Sequence, residues 1–333
     1  MPICLSHQSA LEYLRASDER DPHLLSAPRT GKIEGTTIAN AEEALAEASL
    51  QFFLERPVHL LVASDKNTSG TAGVVRHVNT SPLPRRAVIQ AMPSLFVAAP
   101  EFVFLQMASL LSEADAILLG FELCGSYVPD VHDMRGFRIR DPLTNMRRIG
   151  AFLNGCSGQR GVHMARKALA HVVDGSASPM ETAMAVMLTF PTRLGGMGFE
   201  RPELNKEIVT EAGVRKIDLL WPRLKFGLEY NGRPYHAGEQ AHERDERRKN
   251  AILASGVELM TVYYKDIAQS FYFDQLVSRI CKATHQRRRV RVKDFKFRQS
   301  LLRAKVLPAL RSSESWMASP RENGGVDCLR CAD

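Results

Sequence analysis

The sequence predicts an α/β chain in two domains: a mixed sheet flanked by helices over 176–285, preceded by a smaller α+β unit over 1–150. Three observations lead there. A length of 333 residues fits two domains at roughly 150 residues each. The second half reads in the order helix, three short strands, helix, strand, helix. Between the halves, a linking helix within 151–175 gives way to a Gly- and Ser-containing stretch at 174–179 that interrupts the pattern. A basic C-terminal segment, 286–333, follows.

Composition narrows the class. Hydrophobic residues make up 44% and charged ones 24%, the balance of a globular protein and not of a disordered or collagen-like chain. No run approaches the roughly 18–20 apolar residues of a membrane span. The first residues also lack the basic-then-apolar order of a signal peptide. The expectation is a cytoplasmic chain with no membrane partner, its six scattered cysteines kept reduced.

Taken in order, residues 9–14 read as a helix, and a second helix opens at Asn40. There Asn40 and Glu43 have capping-box spacing ahead of an Ala/Leu-rich run to Phe53. Short apolar runs at 58–63, 74–78 and 95–98 read as strands, with a polar loop at 65–73 between the first two. Residues 100–111 and 164–173 read as helices; the acids and histidines of this half show no metal-ligand spacing. A helix over 179–189 has Ser178 as N-cap and Glu181 in its first turn, where a carboxylate suits the helix dipole. Strands follow at 206–210, 215–221 and 226–231, then a polar helix at 239–254 stopped by Gly256, a strand at 257–263 and a helix at 266–282.

Charge is regional. Residues 282–311 hold eleven basic side chains against one acid, Asp294, so the segment alone carries +10 and the rest of the chain is slightly acidic. Such a block reads as a polyanion contact, with Arg287, Arg288, Arg289, Arg291 and Lys293 as nucleic-acid contacts; a solvated basic tail is the alternative. Cations at 289–293 alternate with Val290 and Val292, which predicts a strand. Beyond Asp294, the i,i+4 spacing of Phe297 and Leu301 predicts that these two dock a helix ending before Pro308. Cys328 and Cys331 form a CxxC near the C-terminal end, but with no second pair nearby they read as incidental.

The chemistry sits in the three-strand meander. Asp218 interrupts an apolar strand and Glu229 lies on the next, with a turn at 222–225 that permits antiparallel pairing. Two carboxylates so placed can converge on a divalent cation, and without one, burial would keep one of them protonated. His236 follows a Gly-Pro turn, and the polar helix carries Asp245 and Arg248 on one face, with Lys249 beside them.

The stretch 216–266 resembles the core of the PD-(D/E)xK nuclease superfamily, in particular the branch similar to very-short-patch-repair (Vsr-like) endonucleases. The residues that carry the likeness are Asp218, then Glu229-Tyr230-Asn231-Gly232, His236, Asp245-Glu246-Arg247-Arg248 and Leu253-Ala254-Ser255-Gly256. Glu181 matches the family's first-helix acid. The resemblance covers about 110 residues and implies a restriction-endonuclease-like fold, with Asp218 and Glu229 as ligands of Mg²⁺ (Mn²⁺ substituting). It departs at one place. The superfamily's usual lysine, which orients the attacking water, is Asn231 here, with His236 as substitute and Arg248 or Lys249 as the positive charge. To a lesser degree 77–124 resembles abortive-infection antitoxin-like proteins.

The function expected on this resemblance is a metal-dependent endonuclease that hydrolyses DNA phosphodiester bonds, with Asp218, Glu229, Asn231, His236, Glu181, Asp245 and Arg248 at its catalytic site. The alternatives are a catalytically inactive nuclease-fold DNA-binding regulator or antitoxin-like protein, and a plain interaction protein. DNA is the expected partner, with RNA as the alternative polyanion. A homodimer and a toxin–antitoxin or defence partner are both compatible with this reading.

Overall fold

The computed structural model describes residues 2–33, 50, 54–62, 73–79, 82–130, 132–232, 239–287 and 290–307. The helix expected from Asn40, most of the 65–73 loop, His236, Arg288, Arg289, Cys328 and Cys331 lie outside them.

In the first half, strands β1 (Ile3–Leu5), β2 (Arg29–Thr30), β3 (Val58–Val62), β4 (Val74–Val78), β5 (Val88–Met92) and β6 (Leu95–Ala98) form a mixed sheet in the order β2-β5-β6-β1-β3-β4. The central strand β1 is buried at all three residues; it runs parallel to β6 and antiparallel to β3. Helix α1 (His7–Arg15) leaves β1 at once, and α2 (Ser17–Arg20) follows it. Helices α3 (Pro100–Ala108), α4 (Glu113–Cys124), α5 (Met146–Asn154) and α6 (Val162–Leu169) pack beside the sheet; β7 (Tyr127–Pro129) and β8 (Phe137–Ile139) pair as a small ribbon. α3 is buried on every side, which is why its sequence shows apolar residues without a polar face.

The second half holds α7 (Pro179–Thr189), the strands β9 (Glu203–Thr210), β10 (Gly213–Trp221) and β11 (Phe226–Tyr230), α8 (Glu239–Ala254), β12 (Glu258–Val262), α9 (Tyr264–Ala268) and α10 (Ser270–Thr284). Its sheet runs β12-β11-β10-β9, antiparallel except for the parallel pair β11–β12 that α8 connects. This is the order of elements predicted, with the last helix split in two at Gln269. Mixed sheets flanked by helices are thus present, and no described helix is long and apolar enough to cross a membrane. One cluster of buried side chains runs from Ile3 to Leu307 and includes residues from both sides of 174–179, and the Tyr127 and Thr182 hydroxyls, one from each side, meet at 2.9 Å.

Two expectations for the basic segment are corrected. Residues 290–292 form no strand, although Val290 and Val292 are half-buried and Arg291 and Lys293 exposed, as the alternation required. The last helix, α11 (Phe295–Val306), does end before Pro308, but Phe297 and Leu301 face solvent. Asp294 enters it at φ 58°, and that phase turns Phe295, Gln299 and Leu302 onto α7 instead.

The first half also assembles three histidines that sequence spacing could not connect. His7 stacks on His77 with ring centroids 3.5 Å apart, and His59 Nδ1 lies 2.8 Å from His77 Nε2. Burial and the neighbouring rings, with Arg160, hold His7 down to about 3; burial, then His59, lowers His77 to about 4, and burial lowers His59. Folded-state pKa values below the ordinary one mean that this stability is present above pH 6.5 or so and is lost as pH falls below it. Melting temperature should therefore drop by several degrees between pH 7 and pH 5, and His77→Gln should shrink that drop. An equal drop in the variant would contradict the assignment.

Candidate functional site

Register explains the site. β9 and β10 pair from Gly213↔Thr210 to Leu220↔Glu203, except at Asn205 and Asp218, which stand opposite each other without a ladder pair. On its other side, one step past Leu219↔Leu228, the same register sets Asp218 opposite Glu229. Glu229 in turn pairs with Thr261 of β12. Asn205, Asp218, Glu229 and Thr261 thus form one row across four strands, and residues opposite one another share a face. Asn205 breaks the ladder because it adopts φ 48°. A left-handed conformation is uncommon outside glycine, though asparagine tolerates it best. Its side-chain amide is thereby free to donate to Gly175 O at 2.9 Å and to Glu181 Oε2.

Glu181 arrives from the other side of the fold. Ser178 Oγ accepts from Glu181 N at 3.2 Å and donates to Glu181 Oε1 at 2.9 Å, while Ala177 N donates to Oε2 at 2.7 Å. A helix N-terminus favours a carboxylate by only about 0.3–1 kcal/mol, whereas desolvating one costs several. Burial wins: the Glu181 pKa is raised, first by desolvation and then by the negative charge of Asp218. Asp218 is raised as well, by burial, against the opposing pull of the Tyr230 N–H bonded to Oδ2 at 2.7 Å and of Arg248. The charge of Asp218 is thus felt at the buried Glu181.

Arg248 is the nearby counter-charge. From α8 its Nη2 donates to Glu229 Oε1 and to Lys216 O, each at 2.7 Å. The structure thus brings together Glu181, Asp218, Glu229 and Arg248. Asn231, half-buried at the end of β11, is fixed through its backbone N–H to Val262 O at 2.8 Å. Asp245 lies on α8, with its side chain outside the described residues, and Lys249 is half-buried there. Arg287, Arg291 and Lys293 are exposed beyond α10. Asn205 is the site residue that sequence reading missed, since an asparagine near a strand start reads as turn chemistry and only the pairing reveals its partner.

The donor set suits a hard divalent cation: three carboxylates, of which two are disfavoured as bare anions. Among the described residues no three acid, histidine or cysteine side chains are yet gathered on one metal-sized point, and Glu229 is engaged by Arg248. A cation would take over the neutralising role that Arg248 fills now. Because folded-state pKa values above the ordinary range give stability that is lost as pH rises through them, neutralising one acid should help at pH 7. Asp218→Asn should melt at or above the parent's temperature at pH 7. A loss of more than about 5 °C, roughly 3–4 kcal/mol for a chain this size, would mean that the carboxylate is structural. No protein-family model, curated protein or solved structure matches this chain.

Proposed function

We propose that the chain is a metal-dependent nuclease that hydrolyses DNA phosphodiester bonds at the Glu181–Asp218–Glu229 site. One observation carries the reading: Asp218 and Glu229 stand side by side on adjacent strands, with a third buried carboxylate, Glu181, close to Asp218 and the Arg248 guanidinium on Glu229. Structural networks seldom bury acids side by side, because desolvated negative charge destabilises the fold.

Asp218 and Glu229 would hold the cation, with Mn²⁺ able to stand in for Mg²⁺. When bound, the ion supplies charge for the scissile phosphate and a water of lowered pKa. Glu181, with its raised pKa, can keep or release a proton beside Asp218. Arg248, once freed from Glu229, offers its fork to a non-bridging phosphate oxygen, a role suited to guanidinium geometry. In the Vsr-like reading Asn231 cannot replace the lysine's charge, so His236 takes the proton-transfer role. The basic residues after α10 hold the backbone without reading sequence.

A second reading, a nuclease-like fold that binds DNA without cutting it, is favoured by Asn231 in place of lysine and by the Arg248–Glu229 bridge. Plasmid nicking in Mg²⁺ or Mn²⁺, with and without chelator, separates the two. Cleavage should require the ion, and Asp218→Asn and Glu229→Gln should each abolish it while DNA binding persists. His236→Ala should lower turnover by about 10²–10⁴, as for a general acid–base residue. Binding without ion-dependent nicking in the parent would select the second reading.

A further inference from the structure

Four aromatic rings near the C-terminal end of the described chain go unused by the core. Phe271 and Phe297 are 67% and 64% exposed, and Tyr263 and Tyr272 are 49% and 40% exposed. Single exposed apolar residues need no explanation, but a group of large rings does. Phe271 and Tyr272 meet edge to face with centroids 5.4 Å apart.

Their placement is specific. Val262 pairs with Tyr230, the residue after Glu229, so Tyr263 begins where the sheet that carries the acids ends. Asp274 lies one helical turn after Phe271 on the same face. Its carboxylate is ion-paired with Lys296, the residue just before Phe297. The first turns of α10 and α11 are therefore tied together, with Phe271 and Tyr272 on one and Phe297 on the other. Arg303 secures the junction, lying 5.4 Å over Phe273 and donating to Ile267 O at 2.8 Å.

Charge complementarity names the occupant. Two acids near the rings are engaged, Asp274 by Lys296 and Asp266 by the Tyr263 N–H at 2.8 Å, and a third, Asp294, is exposed at the start of α11. Lys265, Lys293 and Arg298 are exposed as well, each within four residues of Tyr263 or Phe297 in the chain. Rings interleaved with cations are the means by which proteins hold single strands, because unpaired bases offer their faces for stacking while phosphates reach the cations. A duplex hides those faces.

We infer that this face is a stacking platform for single-stranded nucleic acid, with bases on Phe271, Tyr272 and Phe297 and phosphates on Lys293 and Arg298. It rests on the nucleic-acid part of the proposed function but not on cleavage.

The test uses the full chain in chelator, so that no cutting intervenes. Fluorescence anisotropy compares a labelled twenty-thymidine oligomer, an abasic oligomer of equal charge and a duplex. The parent should bind the thymidine oligomer at least tenfold tighter than the abasic one. Phe271→Ala combined with Phe297→Ala should cost about tenfold or more on the thymidine oligomer alone, with the melting temperature unchanged, and tryptophan at both positions should restore it. Equal affinity for the thymidine and abasic oligomers, or an unaffected double variant, overturns the platform. So does a parent dimer that the double variant makes monomeric with oligomer binding intact, since the rings would then face a second copy. A parent that stacks thymidines but never nicks plasmid supports the platform and sinks only the cleavage reading; one that nicks without stacking does the reverse.

Discussion

The constraint on which the rest of the second half depends is the burial of Asp218 beside Glu181. Burial raises the cost of ionising both carboxylates, the charge of Asp218 adds to it at Glu181, and the surrounding structure is arranged to bear it. The Ser178 cap and the Ala177 N–H serve Glu181, and the Tyr230 N–H serves Asp218. Asn205 leaves the strand ladder to donate to Glu181. Helix α7 is apolar and buried on nearly every side, and its side-chain polar contacts to other segments gather in its first turn, at Glu181 and Thr182. Stability here comes from packing around a charge cluster that works against it, a pattern expected where function and stability compete.

Much of the second half was legible because its signals are local. The meander, the Ser178 cap, the Gly256 stop and the charge-rich helix each follow from neighbours a few residues apart, and Asp218 and Glu229 stood out as acids in apolar strands. The first half was harder to read. β1 is three residues long, and β5 is buried at two successive residues, so neither shows the alternation of a half-exposed strand. α4 and α5 carried cap signals at Ser112 and Asn145 that went unread, and the buried middle of α4 has no polar stripe to mark it. The row Asn205–Asp218–Glu229–Thr261 and the histidine stack depend on pairing between distant segments, which periodicity does not encode.

The error at α11 has a similar cause. Phe297 and Leu301 have the spacing of a docking face, but spacing fixes only that two residues share a side. Which side turns inward was decided by the left-handed entry at Asp294 and by Gln299 reaching the Met197 sulfur at 3.5 Å. Phe297 is thereby turned outward among the exposed cations of the basic segment, so one rotation of one helix separates a core contact from a surface one.

The central claim is that the carboxylate row exists to hold a cation, and anomalous diffraction from crystals soaked in Mn²⁺ addresses it directly. The expected result is an ion bound by Asp218 and Glu229 oxygens at about 2.0–2.2 Å, with Arg248 withdrawn from Glu229. An intact Arg248–Glu229 bridge and no anomalous peak at saturating Mn²⁺ would contradict the account.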